Sequence, residues 1–196
     1  MNEKIFFTSD NHYFHENIIK YCSRPFSGSC DMNAVMMSRW NSVVVPDDNG
    51  IFVGDISAGL KKRTEELREI IQKLNGKKIL IRGNHDHQTD EWYLESGFLE
   101  VFDFLNLGGV ILCHYPLNVL TERGLDQSAF GQFSHVIHGH VHAHTPNFEG
   151  HFNVAADRND FMPWSYEETM PEGLRNAFRE NIKNLLINTA QKRLTF

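Results

Sequence analysis

The sequence predicts an α/β protein. Short, apolar, β-prone runs alternate with amphipathic segments through the first half, and five of the apolar runs end abruptly in a polar motif. The five motifs are Asp10-Asn11-His12, Gly54-Asp55, Gly83-Asn84-His85-Asp86, Cys113-His114 and Gly139-His140-Val141-His142. An apolar run that stops at a polar ligand is what a sheet looks like when its strand ends deliver side chains to a common rim.

Each element has its own reason. Lys4-Ile5-Phe6-Phe7-Thr8-Ser9 is short, apolar and β-prone, so it reads as a buried first strand. After Asp31, the residues Met32, Val35, Met36, Arg39 and Trp40 recur at three and four, as on one face of a helix, and Asp47-Asp48-Asn49-Gly50 supplies a turn. Ile51-Phe52-Val53 is a second strand. The clearest helix has Thr64 as N-cap, Glu65 and Glu66 in its first turn, Leu67, Ile70, Ile71 and Leu74 as its apolar stripe, and Gly76 at its C-cap. Lys78-Ile79-Leu80-Ile81, Val110-Ile111-Leu112-Cys113, Val136-Ile137 and Phe152-Asn153-Val154-Ala155 follow as strands. Strand signals crowd together in the second half with little helix between them, which predicts a more antiparallel region. Leu117 to Ser134 is polar and Gly-punctuated and is expected as a long loop near the site, and Pro171 to Leu186 as an amphipathic packing helix without chemistry.

With 196 residues, of which 41% are hydrophobic and 22% charged, the chain is sized for one domain, residues 1–196. A net charge of −6 disfavours a protein that coats nucleic acid or lies on an anionic membrane. The first residues lack the pattern of a secretion signal, and no apolar run approaches membrane-spanning length. Cys22, Cys30 and Cys113 match neither a zinc ribbon nor a redox pair; they are expected as packing residues in a cytoplasmic protein.

The motifs carry carboxylate, imidazole and amide groups and no thiolate as ligand, the set preferred by hard and borderline divalent cations. Asp10 and His12 are two apart, so at an extended strand end both project to one side. Asp55 follows a glycine that permits a tight turn, and its two oxygens can serve two cations. Asn84 offers an amide oxygen, His85 a titratable ring, and Asp86 a carboxylate suited to orienting that ring. His114 ends another apolar run, and His140 and His142 are again two apart. Together these point to a two-metal hydrolase.

In this order the motifs resemble the signature of the calcineurin-like metallophosphoesterases: Asp-x-His, Gly-Asp, Gly-Asn-His-Asp/Glu, a lone His and Gly-His-x-His. The resemblance spans roughly three quarters of the chain. It implies a four-layer αββα fold of two facing mixed β-sheets flanked by helices. It implies that Asp10, His12 and His142 bind one divalent metal ion, that Asn84, His114 and His140 bind a second, and that Asp55 bridges them. It further implies hydrolysis of a phosphodiester, or of a small phosphomonoester or nucleotide, by attack of a metal-bridging hydroxide. His85 faces the phosphate, stabilising charge or protonating the leaving oxygen, with Asp86 as its partner. Manganese is the first metal expected, with iron, zinc, cobalt or nickel as alternatives.

Some residues depart from the family pattern. Tyr13 stands where many members have glycine after the first histidine, which suggests a different approach path for phosphate. Ile56-Ser57-Ala58-Gly59 replaces the Asp-Arg-Gly of the protein serine/threonine phosphatases, although Arg82 before Gly83 echoes that branch, so protein phosphatase activity is disfavoured. The stretch Ser9 to Tyr21 with Arg24-Pro25-Phe26 resembles a subgroup of small bacterial and phage phosphoesterases. His15 and Arg24 are the candidates for binding substrate phosphate, against a helix-terminal surface role for His15 and a structural ion pair for Arg24. Lys61-Lys62-Arg63 can draw an anionic substrate or form a solvated turn. His138 and His144 are expected in supporting or surface roles, and Asn153 to Asp157 as a source of one more polar group near the metals. The alternatives are a nuclease acting on single-stranded nucleic acid, disfavoured by the acidic charge, and an inactive scaffold, disfavoured by the complete ligand set. Neither the oligomeric state nor the particular substrate follows from the sequence.

Overall fold

The computed structural model describes residues 3–59, 63–122, 127–143 and 149–194. Strand β1 (Ile5–Thr8) leads through helices α1 (Glu16–Tyr21) and α2 (Ser29–Val43) to β2 (Asn49–Val53). Then come α3 (Thr64–Lys73), β3 (Lys77–Ile81), α4 (Asp90–Glu95) and β4 (Phe98–Phe102). The second half runs β5 (Phe104–Leu107), β6 (Val110–Cys113), α5 (Leu117–Glu122), β7 (His135–His138), β8 (His151–Asn153), β9 (Trp164–Ser165), α6 (Tyr166–Thr169) and α7 (Glu172–Leu194). One sheet has the order β4-β3-β2-β1-β9 and the other β5-β6-β7-β8. Both are mixed: β1 to β4 are mutually parallel with β9 antiparallel at the edge, and β6, β7 and β8 are parallel with β5 antiparallel.

Period-two alternation along the strands explains the layers. Phe6, Phe52 and Leu80 point outward from the first sheet into a core built with Ile18 of α1, Met32, Met36 and Trp40 of α2, Leu67, Ile70 and Ile71 of α3, and Tyr93 of α4. Their neighbours Ile5, Phe7, Ile51, Val53 and Ile81 point the other way, onto Val110, Leu112 and Ile137 of the second sheet. On the far side of that sheet Ile111, Cys113 and Val136 are covered by Leu117 and Leu120 of α5 and by Phe130. The molecule is therefore the four-layer αββα arrangement that the resemblance implied. Phe178 and Ile182 of α7 join the central core beside Phe7 and Tyr166, so α7 is a packing helix as expected. Each such fully buried side chain contributes about 1.5–3 kcal/mol.

Several expectations need correction. The second half is not predominantly antiparallel: β6–β7 and β7–β8 are parallel, and only β5–β6 and the β1–β9 edge run antiparallel. The stretch from Leu117 to Ser134 is not one long loop, because it contains α5 and a 3₁₀ turn over Gln127–Phe130. Thr64 is the first helical residue of α3 and no side chain caps that helix. The helix expected after Asp31 starts earlier, at Ser29. Both Gly76 and the turn at Asn49-Gly50 differ slightly in role: Leu74 ends α3, Gly76 makes the following turn at φ 95°, and Asn49 and Gly50 already lie in β2.

The parallel strands all aim their carboxyl ends the same way, which is where ligands collect in such sheets. The strand-end segments are tied together there. Asp10 N–H donates to the Gly54 carbonyl at 2.9 Å, His12 N–H to Asp55 at 3.0 Å, Ser9 N–H to Val154 at 3.1 Å and Gly139 N–H to His114 at 2.9 Å. These bonds join both sheets at one rim.

Candidate metal centre

Every motif residue reaches that rim from a strand end. Asp10 and His12 follow β1, Asp55 follows β2, Asn84 and His85 follow β3, His114 follows β6, and His140 and His142 follow β7. Five of these, Asp10, His12, Asp55, His140 and His142, have φ between 48° and 74°, in the left-handed region that β-branched and bulky residues avoid and that Asp and His enter more readily. Such conformations persist only where the surroundings over-determine them, and they gather at functional sites.

The side chains converge in two groups whose ligand atoms lie within 4.8 Å of one another: Asp10 with His12 and His142, and Asp55 with His114 and His140. Asp55 stands between them. Its Oδ2 lies 3.7 Å from His12 Nε2 and 3.3 Å from His114 Nε2. Asn84 Oδ1 is 3.2 Å from the same His114 nitrogen, and His142 Nε2 is 3.8 Å from Asp10 Oδ1. Both ring nitrogens of His12 are buried and have no hydrogen-bond partner among the described residues. Two such orphaned nitrogens are costly in a folded protein, and a cation on one of them removes half of that cost. The donor set and the orphaned ring therefore fit divalent metal ions.

Neighbouring groups fix the rings. Val53 O accepts from His114 Nδ1 at 2.9 Å, which turns Nε2 toward Asp55 and Asn84. Asp157 Oδ2 accepts from His142 Nδ1 at 2.8 Å, leaving its Nε2 toward Asp10. This is the carboxylate–histidine pairing that sets tautomer and ring angle in metal sites. Burial opposes charge on both rings, yet the Asp55 carboxylate and Asp10 hold His114 up to about 9, and Asp157, Cys22 and Asp10 hold His142 up to about 10. Burial likewise opposes ionisation of Asp55, but His114 and the His85 N–H keep its carboxyl below the ordinary range. Burial dominates at Asp10 and Asp86 and raises both. Cations entering here would displace the Nε2 protons of His114 and His142 and leave the Nδ1 protons on Val53 and Asp157.

Two predicted roles change. All five guanidinium N–H groups of Arg24 are used: on Asp157 at 2.7 and 2.8 Å, on the carbonyls of Asn11 and Asp10 at 2.9 and 2.7 Å, and on Met32 Sδ at 3.3 Å. Its side chain is fully buried, so it holds Asp157 and the Asp10 loop and has no donor left for a substrate phosphate. Asp86 is not the partner of the His85 ring. Its Oδ2 accepts from Asp55 N–H and Gly83 N–H, both at 2.8 Å, and its Oδ1 from Ile56 N–H at 3.1 Å, with the Tyr93 hydroxyl at 3.4 Å. It stitches the loops after β2 and β3 together.

His85 is exposed; its N–H donates to Asp55 Oδ1 at 2.8 Å and its ring meets the His12 ring edge-on at 5.4 Å. His15 lies on the same side, its ring 5.4 Å from that of His12. Tyr13, which stands where many members have glycine, is buried in the outer core. His138 is buried, its Nδ1 on the Gly139 carbonyl at 3.0 Å, whereas His144, Lys61 and Lys62 lie outside the described residues. Arg63 sits over the Phe14 ring at 5.3 Å, with Glu66 at 3.6 Å. Within Asn153 to Asp157, Asn153 Nδ2 holds the His142 carbonyl at 2.8 Å and Asp157 holds its ring. Sequence reasoning missed Cys22, whose sulfur groups with His142 and Asp157, because a lone cysteine carries no spacing signal.

A rim of this kind, with carboxylate, imidazole and amide groups meeting around one central carboxylate, is a candidate centre for divalent metal ions. The profile of the family described as calcineurin-like phosphoesterase matches residues 3–150, and the chain belongs to that family. An uncharacterized protein of Methanocaldococcus jannaschii is 38% identical over 143 residues, 71% of this chain and 70% of its own length. The gene 66 protein of Mycobacterium phage L5 is 28% identical over 160 residues, covering 70% of this chain and 76% of that protein. Among solved structures, a protein of unknown function from Aquifex aeolicus superposes with a TM-score of 0.62 at 26% identity, over 85% of this chain and 97% of that one. No helix among the described residues is long and apolar enough to cross a membrane.

Proposed function

We propose that the chain is a binuclear metal-dependent phosphoesterase that hydrolyses phosphodiesters or small phosphomonoesters. The observation that supports it most is the place of Asp55 between the two ligand groups, within 4 Å of a histidine of each. Asp10, His12 and His142 would hold one divalent cation, and Asn84, His114 and His140 the other, with Asp55 serving both. Bound there, the cations would acidify water and neutralise charge on the phosphate oxygens; manganese is the first metal to supply, ahead of iron, zinc, cobalt or nickel. His85, exposed beside His12, is placed to stabilise charge on the phosphate or to protonate the leaving oxygen. Asp86 and Arg24 act behind it by holding the loops that carry Asp55 and Asp10.

The test is hydrolysis of bis-p-nitrophenyl phosphate and p-nitrophenyl phosphate side by side, by metal-stripped protein with added manganese and Asp55→Asn as the blank. Metal-dependent cleavage of either supports the proposal, and the preferred ester tells diesterase from phosphatase. Failure on both with every metal tried, while two ions bind, would favour an inactive scaffold and reject it.

His85→Ala should retain both cations and lose roughly 10²–10⁴-fold in kcat, the usual contribution of a positioned acid or base. Calorimetric manganese titration with the rate assay checks this; metal loss equal to that of Asp55→Asn would remove His85 from its assigned role. Asp157→Asn should weaken manganese binding about 10–100-fold at the His142 position, since it no longer fixes the Nδ1 proton. Unchanged affinity by the same titration would leave Asp157 as only the counter-ion of Arg24.

A further inference from the structure

Tyr21, the last residue of α1, is 69% exposed although it stands beside the metal rim. Its ring meets that of His15 edge-on, centroids 6.4 Å apart, and the His15 ring in turn lies 5.4 Å from that of His12. His15 Nδ1 is buried without a hydrogen-bond partner among the described residues. A row of rings thus leads outward from a metal ligand and ends in an uncovered aromatic plate.

The helix end that carries the plate is anchored. Ile18 anchors α1 in the outer core, and the Cys22 N–H donates to the Ile18 carbonyl at 2.9 Å. The Arg24 N–H donates to the Ile19 carbonyl at 2.8 Å, and the Arg24 side chain grips the Asp10 carbonyl at 2.7 Å. The segment carrying Tyr21 is therefore tied directly to the segment carrying Asp10 and His12. Nothing in the hydrolysis of the phosphate itself uses a large exposed ring at this place.

We propose that Tyr21, flanked by His15, is the subsite for the base of a nucleoside-bearing phosphate ester, a specificity that rests on the phosphoesterase reading above. With the phosphate at the metal rim, a sugar spans the His15 ring and the base lies on the Tyr21 face. A phenol plate suits this because every nucleobase has a π-face, and a tyrosine side chain, with only two torsions to order, loses little conformational freedom on stacking.

The experiment compares thymidine 5′-(p-nitrophenyl phosphate) with methyl p-nitrophenyl phosphate, two esters with the same leaving group. The wild-type protein should prefer the thymidine ester in kcat/KM, mainly through KM. Tyr21→Ala should lower that preference about tenfold, and Tyr21→Phe should restore it. A preference that stays within about twofold of wild type in Tyr21→Ala, or equal losses on both esters, overturns the subsite. If the wild-type protein cleaves neither ester, the hydrolase reading fails separately. Calorimetric binding of thymidine 5′-monophosphate against methyl phosphate then decides the subsite, and equal affinity ratios in wild type and Tyr21→Ala reject it.

Discussion

Asp55→Asn is expected to bind less than one manganese ion per chain at concentrations that load the wild-type protein fully, and to lose on the order of a thousandfold or more in rate. The carboxylate faces both ligand clusters, 3.7 Å from His12 and 3.3 Å from His114. An amide in its place keeps the volume, still accepts the His85 N–H, and tolerates the left-handed backbone at φ 55°, so the fold should survive. What is lost is one negative charge at the point where two cations would be neutralised. Metal content by mass spectrometry, read with the melting temperature, separates this from misfolding. Two tightly held ions in a well-folded variant would mean that Asp55 is not shared.

Gly83→Ala should be nearly as damaging by a steric route. A β-carbon at Gly83 would fall inside the contact distance of the Asp55 carboxylate and of its backbone nitrogen. The neighbours cannot yield, because Asp86 binds the N–H groups of both Gly83 and Asp55. Gly139 has the same reason to lack a side chain: a β-carbon there would sit 2.5 Å from Asp10 Oδ2. Overpacking of this kind costs about 1–3 kcal/mol or more, which for a chain of this size lowers the melting temperature by roughly 2–4 °C per kcal/mol. The displaced carboxylate should also weaken metal binding. Gly173→Ala is the control, since a β-carbon there meets nothing within 4 Å. Were Gly83→Ala to melt with the wild type and titrate identically with manganese, the tight interlock of the two loops would be wrong.

The candidate ligands were legible in the sequence because each sits at the end of an apolar run, and a run that stops in Asp, Asn or His reads without knowing what lies next to it. The partners of those ligands were not. Arg24 is 133 residues from Asp157, and nothing local tells a buried guanidinium from a phosphate-binding one. Asp86 was placed with its sequence neighbour, His85, whereas its carboxylate serves the backbone of a loop 30 residues away. The parallel course of β6, β7 and β8 was hidden because α5 is short and lacks the repeated stripe that marks α3. Strands β4 and β5 were overlooked since Phe98 to Leu107 is one half-buried run with only Asp103 between the two.

Five residues of the proposed ligand set hold left-handed backbone, a conformation that costs on the order of 1–3 kcal/mol, so the rim has stability to gain from being replaced. A library of variants sorted for heat resistance alone would therefore enrich glycine and asparagine at His12, His140 and His142. The most thermostable descendants of this chain would be those that had lost the proposed metal centre, and any stabilisation campaign has to hold these positions fixed while it searches elsewhere.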